Sequence, residues 1–149
     1  MIYVNETDFY LFLQGYRDAM LWANTLEYGA DGAEPDELGP ALDAVEYAEH
    51  IDAEAWAQAE ADCRAFLESA VEWRILPVVD FDGSIAWPYQ GLDTSGAEQA
   101  GHDFALTRNG HGAGFWDRGL GEVGDKLSKL AESYGECDWL LQDGVVTSC

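Results

Sequence analysis

Six side chains capable of polar chemistry crowd into one short stretch of this sequence. They are His102, Asp103, Arg108, Asn109, His111 and Asp117. Glycines are interspersed at positions 110, 112 and 114, and a glycine-rich backbone lets a ligand approach closely. A histidine beside a carboxylate can transfer protons, and a guanidinium binds anions through paired hydrogen bonds. The stretch is therefore a candidate site for a small ligand or for acid–base catalysis.

The same residues also have a purely structural explanation. Asn109-Gly110 is typical of a two-residue hairpin turn, which would pair a strand over 104–108 with one over 111–117. In that register His102 lies opposite Asp117, and a hydrogen bond between them would fix the imidazole. The glycines then make room for neighbouring aromatic or helical packing. The sequence favours this structural role and leaves a ligand site as the alternative.

No complete catalytic or metal-binding set accompanies this stretch. Neither the serines nor the three cysteines are tied by spacing to a histidine, so the arrangement that activates a nucleophile is missing. In the hairpin register His102 and His111 stand roughly 15–20 Å apart, too far to share one zinc ion. Asp80 and Asp82 beside Gly83 lack the further oxygen ligands of a calcium loop. We therefore expect a protein that is not an enzyme, with no catalytic residue, no metal and no cofactor.

The charge of the chain indicates a different kind of chemistry. Among 149 residues, 29 Asp and Glu stand against seven Lys and Arg, which gives a net charge of −22. Such a surface repels the phosphates of nucleic acids and of anionic bilayers, so neither is an expected direct partner. Residues 27–72 form the most anionic region, with 14 acidic residues and one basic residue, Arg64. This region is our candidate surface for binding a protein partner.

Three explanations of the acid excess stay open: plain solubility, adaptation to high salt, and mimicry of nucleic acid by carboxylates. Duplex DNA carries about one charge per 1.7 Å of axis. Helix turns repeat about every 5.4 Å, so acids on neighbouring helices can follow a phosphate path. The candidate partner-binding carboxylates are Glu46, Glu49, Glu54, Glu60, Asp62, Glu68 and Glu72. Under mimicry, the partner is a basic nucleic-acid-binding protein of a host cell.

Three helices are predicted from apolar residues that recur at helical spacing. They span 7–25, 53–73 and 122–134. Asn5 or Thr7 can cap the first helix, and Asp52 can cap the second. Gly15 interrupts the first helix, and we expect close packing against a neighbouring element as the reason. The predicted core residues are Phe9, Phe12, Leu13, Tyr16, Phe66, Leu67, Phe104, Phe115, Leu127 and Leu130.

Hairpins supply the predicted sheet. They span 76–87, 104–117 and 138–147, and each turns at an Asp-Gly or Asn-Gly pair. The predicted fold class is therefore α+β, with three helices packed on a small antiparallel sheet made of hairpins. A chain of this length, with 48% hydrophobic residues and no linker, is expected to form a single domain over 1–149.

The stretch from His102 to Gly121 resembles an uncharacterised family of small acidic proteins encoded by tailed bacteriophages and prophages. Residues 15–23 and 62–66 extend the resemblance over about two thirds of the chain, whereas 74–90 carries none. The family has no established activity, so the resemblance implies a phage context and no catalytic residues. That context favours proteins that neutralise host machinery.

These observations lead to one expected function and one alternative. We expect a non-enzymatic acidic binding protein in the host cytoplasm, with a restriction or CRISPR-type protein as its target class. The cytoplasmic location is expected because the sequence has neither a signal peptide nor a long apolar span. The alternative is a small-ligand or nucleotide-binding protein, or a small enzyme, that uses His102, Arg108, His111 and Asp117. The sequence leaves the oligomeric state undefined.

Overall fold

Helices dominate the architecture. A computed structural model of the chain describes residues 4–23, 25–27, 47–79, 81–92, 95–111 and 113–148. The helices in these ranges are α1 (Glu6–Ala23), α2 (Ala53–Glu72), α3 (Gly96–Arg108) and α4 (Glu122–Glu132). The strands are β1 (Thr25–Glu27), β2 (Trp139–Gln142) and β3 (Val145–Ser148), and short 3-10 turns occupy Ala48–His50 and Phe115–Asp117. The α+β class is confirmed, but the described residues form four helices where three were predicted.

Side-chain caps define where the predicted helices begin. The Oδ1 atom of Asn5 accepts hydrogen bonds from the backbone N–H groups of Thr7 and Asp8, at 3.0 and 3.1 Å. The Asp52 carboxylate accepts from the N–H of Ala55 at 2.8 Å. Both caps satisfy donors that the first helical turn leaves without partners. The predicted helices at 7–25, 53–73 and 122–134 are therefore confirmed, with ends that differ by no more than two residues.

The hairpin predicted at 104–117 is wrong, because its first half is the C-terminal part of α3. Ser95 caps this helix by accepting from the N–H of Glu98 at 3.1 Å. Apolar and small residues then recur at 97, 100, 101, 104 and 105, which is helical spacing. Asn109-Gly110 ends the helix, since Gly110 adopts a φ of 72° and cannot continue it. Asn-Gly is compatible with both a helix end and a hairpin turn, and in this chain it ends a helix.

Within the ranges that the structure describes, the sheet is smaller than predicted and mixed in direction. β1 pairs with β2 in parallel, and β2 pairs with β3 antiparallel. The last predicted hairpin is confirmed, because Asp143 and Gly144 at its turn have φ values of 54° and 78°. Of the hairpin predicted at 76–87, the described residues form a reversal of the chain with one isolated bridge, Val78 to Ile85. The prediction of a purely antiparallel sheet of hairpins is therefore wrong.

The core lies where the sequence predicted it, between α1, α2 and α3. Nine of the ten predicted core residues are buried, and Leu130 is half-buried against the same cluster. α1 packs most extensively on α3, and glycines allow their close approach. A Cβ atom on Gly15 would collide with the backbone carbonyl of Glu98, and one on Gly101 would collide with that of Phe12. The packing role expected for Gly15 is thus confirmed.

Candidate functional site

Arg108 stands at the meeting point of all four helices and is only 6% exposed. Its Nη1 atom donates to the Asp62 carboxylate on α2 at 2.8 Å and to the Tyr16 hydroxyl on α1 at 3.1 Å. Its Nε and Nη2 atoms donate to the backbone carbonyls of Gly135 and Tyr134, just beyond α4, at 2.9 and 3.2 Å. Burial raises the pKa of Tyr16, so its hydroxyl stays protonated. The guanidinium predicted to bind a ligand is therefore committed to joining helices.

Asn109 and Thr107 tie the end of α3 to the chain that follows it. The Asn109 amide donates to the carbonyl of Ala105 at 2.9 Å and accepts from the N–H of Cys137 at 2.7 Å. The Thr107 hydroxyl accepts from the N–H of Phe115 at 3.1 Å. These bonds satisfy backbone groups that a tight helix-to-loop transition would otherwise leave without partners. Asn109 thus has a structural role at the helix end rather than a place in a hairpin turn.

A second polar network surrounds Asp103, which is fully buried. Its carboxylate accepts from the Arg118 guanidinium, with a shortest distance of 2.9 Å, from the Tyr89 hydroxyl at 2.8 Å and from the Gln99 amide at 3.0 Å. Burial and the adjacent carboxylate raise the pKa of Tyr89, so this phenol remains a donor. Sequence reasoning missed Arg118, Tyr89 and Gln99. The i, i+4 spacing of Gln99 and Asp103 would have indicated their contact if α3 had been recognised.

His102 lies apart from the other predicted site residues. Its ring is half-buried on α3, 6.3 Å from that of Trp22, and no hydrogen bond joins it to Asp117 within the described residues. Its Nδ1 atom is buried and has no hydrogen-bond partner in that part of the chain. The ring borders a cavity of about 200 Å³, whose other lining residues are Gly15, Asp18, Glu98, Gln99 and Arg118. A second cavity of about 430 Å³ also borders Arg118, and its other lining residues lie within 88–90, at 92 and within 119–120.

The remaining residues of the predicted ligand site do not converge with His102. His111 is half-buried, and its backbone N–H donates to the carbonyl of Leu106. Asp117 is exposed in the 3-10 turn. In the described ranges, no group of three or more His, Cys, Asp or Glu side chains is placed to hold a metal ion. Asp80, which the calcium alternative required, lies outside those ranges.

Five of the seven predicted partner-binding carboxylates line the outer side of the molecule. Glu49, Glu54, Glu60 and Glu72 are exposed and Glu68 is half-buried. At 1.5 Å per residue, successive acids of α2 from Glu54 to Glu72 are separated by about 9, 12 and 6 Å along the axis. This row is sparser than a phosphate backbone, since exposed alanines at 57, 61 and 65 share the same side of the helix.

The other two predicted carboxylates do not belong to this row. Asp62 was predicted to face a partner, but its side chain is only 17% exposed and is paired with Arg108. The buried guanidinium draws this carboxylate inward, so its assignment to the surface was wrong. Glu46 lies outside the residues that the structure describes.

Four of the seven basic residues neutralise acids of their own chain. The ion pairs are Arg17–Asp18, Arg64–Glu6, Arg108–Asp62 and Arg118–Asp103, with shortest distances of 2.8–3.1 Å. Two of them, Arg108–Asp62 and Arg118–Asp103, each contain one buried charged residue and join separate parts of the fold. The remaining basic residues are Arg74, Lys126 and Lys129, and the net charge of −22 already includes them. The outer surface is therefore strongly anionic.

Comparisons with known proteins leave function to be argued from this geometry. No family model matches the chain, and searches of curated proteins and of solved structures returned no match. The phage resemblance therefore stays a prediction. In the described residues, no helix combines the length and apolar character needed to cross a membrane. Burial raises the pKa of the Cys63 thiol well above its ordinary value, which disfavours a thiolate nucleophile there.

His102 gives the site a pH dependence that can be measured. Burial lowers the pKa of His102, an effect that Arg118 reinforces and that Asp103 and Asp18 oppose. Because the folded-state pKa lies below the unfolded value of about 6.5, the unfolded state binds the proton more readily. Stability should therefore fall as the pH drops below about 6.5, by at most about 1.4 kcal/mol per pH unit from this group. The free energy of unfolding of His102→Asn, measured in urea, should change less between pH 7.5 and 5.5 than that of the wild-type chain.

The matched control for this prediction is His50→Asn, which exchanges an exposed imidazole for the same amide. Measurements should stay above pH 5, because burial raises the pKa of Asp138 and adds a dependence of opposite sign at lower pH. Equal pH dependences for the wild-type chain and His102→Asn would contradict the assignment.

Proposed function

We propose that this chain is a non-catalytic acidic protein that binds the basic, nucleic-acid-binding surface of another protein and blocks it. The proposal rests on one observation. Four of the seven basic residues form ion pairs within the chain, while carboxylates are exposed on the surface of the molecule. A basic groove is the natural complement of such a surface, since opposite potentials accelerate association and select the partner. The proposed target class is a host defence protein of the restriction or CRISPR type, and the proposed site of action is the host cytoplasm.

The partner-binding surface that we propose centres on the outer side of α2. Glu54, Glu60 and Glu72 are exposed there and make no ion pair among the described residues. Their separations exceed those of phosphates along one strand, so mimicry in the strict sense requires further carboxylates from neighbouring segments. Residues 28–46 contain six acidic residues, Glu46 among them, but they lie outside the residues that the structure describes. We therefore base the proposal on α2 alone.

A small-ligand site is the second candidate function. The cavity beside His102 is a better candidate for this site than the set of hairpin residues predicted from the sequence. A buried Nδ1 atom without a partner is uncommon in folded proteins and suits a ligand that supplies one hydrogen bond. A thermal-shift screen with nucleotides and divalent metals separates the two functions. A specific shift that disappears in His102→Asn would favour the ligand site.

Charge reversal on α2 is the sharpest test of the proposed function. The triple variant Glu54→Lys, Glu60→Lys, Glu72→Lys should weaken binding to a basic partner by at least about tenfold, because close interfacial charge pairs are worth 1.5 kcal/mol or more. The fold should persist, since all three side chains are exposed. The measurement is a pull-down from host lysate at low and high salt, followed by titration of the captured protein.

The matched control is Glu122→Lys, Glu132→Lys, Glu136→Lys, which changes the net charge equally at exposed positions in and after α4. It should retain most of the binding. Capture should weaken steeply with salt, as expected when carboxylates replace phosphates in a basic groove. Equal losses in both triple variants would show that only bulk charge matters. Capture that is indifferent to salt and to competing DNA would contradict the proposal.

A further inference from the structure

One segment carries several exposed apolar residues close together in sequence. Nine large apolar side chains are exposed in the described parts of the chain, and four of them fall within residues 73–81. They are Trp73, Val78, Val79 and Phe81, with relative exposures of 74%, 42%, 61% and 113%. Single exposed apolar residues are ordinary in soluble proteins, whereas grouped ones mark interaction sites. Nothing in the core or in the polar networks above uses these four side chains.

The tip of this segment, formed by Val78, Val79 and Phe81, is flanked by hydrogen bonds to the rest of the fold. The N–H of Val79 donates to the carbonyl of Ser84 at 2.9 Å across the chain reversal. The Asp8 carboxylate on α1 accepts from the N–H of Ile85 at 2.9 Å and from the indole N–H of Trp87 at 3.2 Å. These bonds connect the flanks of the tip to each other and to the start of α1, while Val78, Val79 and Phe81 are exposed. Hydrogen-bonded flanks reduce the conformational entropy that an apolar tip loses on binding.

We propose that Val78, Val79 and Phe81 form an apolar anchor that inserts into a pocket of a partner protein, and that Lys and Arg side chains rim this pocket. The inference rests on the proposed function, which requires a basic partner. Interfaces concentrate their binding energy in a few central aromatic or apolar residues that fill pockets. Phe81 is such a residue. The anionic surface of the chain would accelerate its association with the basic partner.

Charge favours a partner pocket with a basic rim over two other binding partners of the tip, a second copy of the chain and an anionic bilayer. Asp82 follows Phe81 and is exposed, and hydrogen bonds from Ser84 lower the pKa of its carboxyl group, so it stays ionised. A second copy of the chain would bring −22 against −22, and an anionic bilayer would repel the tip in the same way. A pocket with a basic rim gains from both the apolar contact and the carboxylate.

Photocrosslinking from the tip tests this inference. The full-length chain carrying Phe81→p-benzoylphenylalanine is irradiated in host lysate, beside a control with Trp116→p-benzoylphenylalanine. Trp116 is a suitable control because it is aromatic, 53% exposed and remote in sequence. We expect an adduct from position 81 alone, with the crosslink mapping to an apolar pocket bordered by Lys or Arg. The same adducts from both positions, a crosslinked second copy, lipid adducts, a pocket without basic residues or no adduct would overturn it.

A substitution at the tip separates this inference from the proposed function. Phe81→Ser should reduce affinity for the crosslinked partner by at least about tenfold, whereas Trp116→Ser should retain it. The thermal unfolding midpoint should not change, since the Phe81 side chain is fully exposed. Salt-sensitive capture that survives Phe81→Ser would refute the anchor and leave the proposed function standing. Absence of any salt-sensitive capture would refute both.

Discussion

Replacing Arg108 by Met is expected to lower the free energy of unfolding by about 3–5 kcal/mol. The substitution keeps an unbranched side chain of similar length but removes donors to Asp62, Tyr16 and the carbonyls at the end of α4. Asp62 would then retain a carboxylate that is mostly shielded from water and has lost its cation. Removing one member of a buried ion pair costs more than the pair itself contributes, because the other charge stays buried. Equilibrium unfolding in urea measures the loss.

The matched control is Arg64→Met, which removes an arginine of equal charge from an exposed pair with Glu6. Arg64 also lies 3.9 Å from the centre of the Phe9 ring, but exposed ion pairs and cation–π contacts each contribute only about 1 kcal/mol or less. The double variant Asp62→Asn, Arg108→Met should recover part of the loss, because the unpaired carboxylate is gone. Equal costs for Arg108→Met and Arg64→Met would show that burial does not strengthen the Arg108 network.

Local signals explain which elements could be predicted from the sequence. α1, α2 and α4 were predictable because each combines a long apolar period with a cap or a terminal glycine. α3 was missed because Asn109-Gly110 satisfies two local rules at once. An αL residue can reverse a hairpin or end a helix, and only tertiary packing decides between them. In this chain the close contact of Gly101 on α3 with α1, which we call the seam, favours the helix. A strand at this position would lose that packing.

The candidate site was less predictable because its pairs form between distant elements. Asp62 and Arg108 are 46 residues apart, and nothing local marks them as partners. Asp103 and Arg118 lie closer in sequence, but the predicted register that pairs His102 with Asp117 also places Asp103 opposite Trp116 instead. The exposed acids of α2 were predictable, since they lie off its apolar stripe. An amphipathic pattern therefore predicts exposure well, whereas it does not predict which charges are drawn inward by a buried partner.

Replacing Gly101 by Ala is expected to destabilise the fold by about 2 kcal/mol net, although alanine is the better helix former. Alanine in a helix gains roughly 0.5–1 kcal/mol over glycine in propensity. The added methyl group would collide with the backbone carbonyl of Phe12 on α1, and a backbone carbonyl cannot rotate away as a side chain can. The two helices must then separate, which loosens the contacts of Phe12 and Phe104 beside the seam. Unfolding in urea, read by tryptophan fluorescence, measures the net effect.

A second glycine isolates the steric cause. Gly144→Ala adds the same methyl group at a φ of 78° with no neighbouring atom within 4 Å, so its cost of about 1 kcal/mol comes from backbone strain alone. Gly101→Ala should cost more than Gly144→Ala even though its own backbone is helical. Gly15→Ala should add less than its separate cost to Gly101→Ala, because one displacement of α1 from α3 relieves both collisions. A Gly101→Ala chain as stable as the wild type would mean that the helices can separate freely, and the close seam would then have no energetic role.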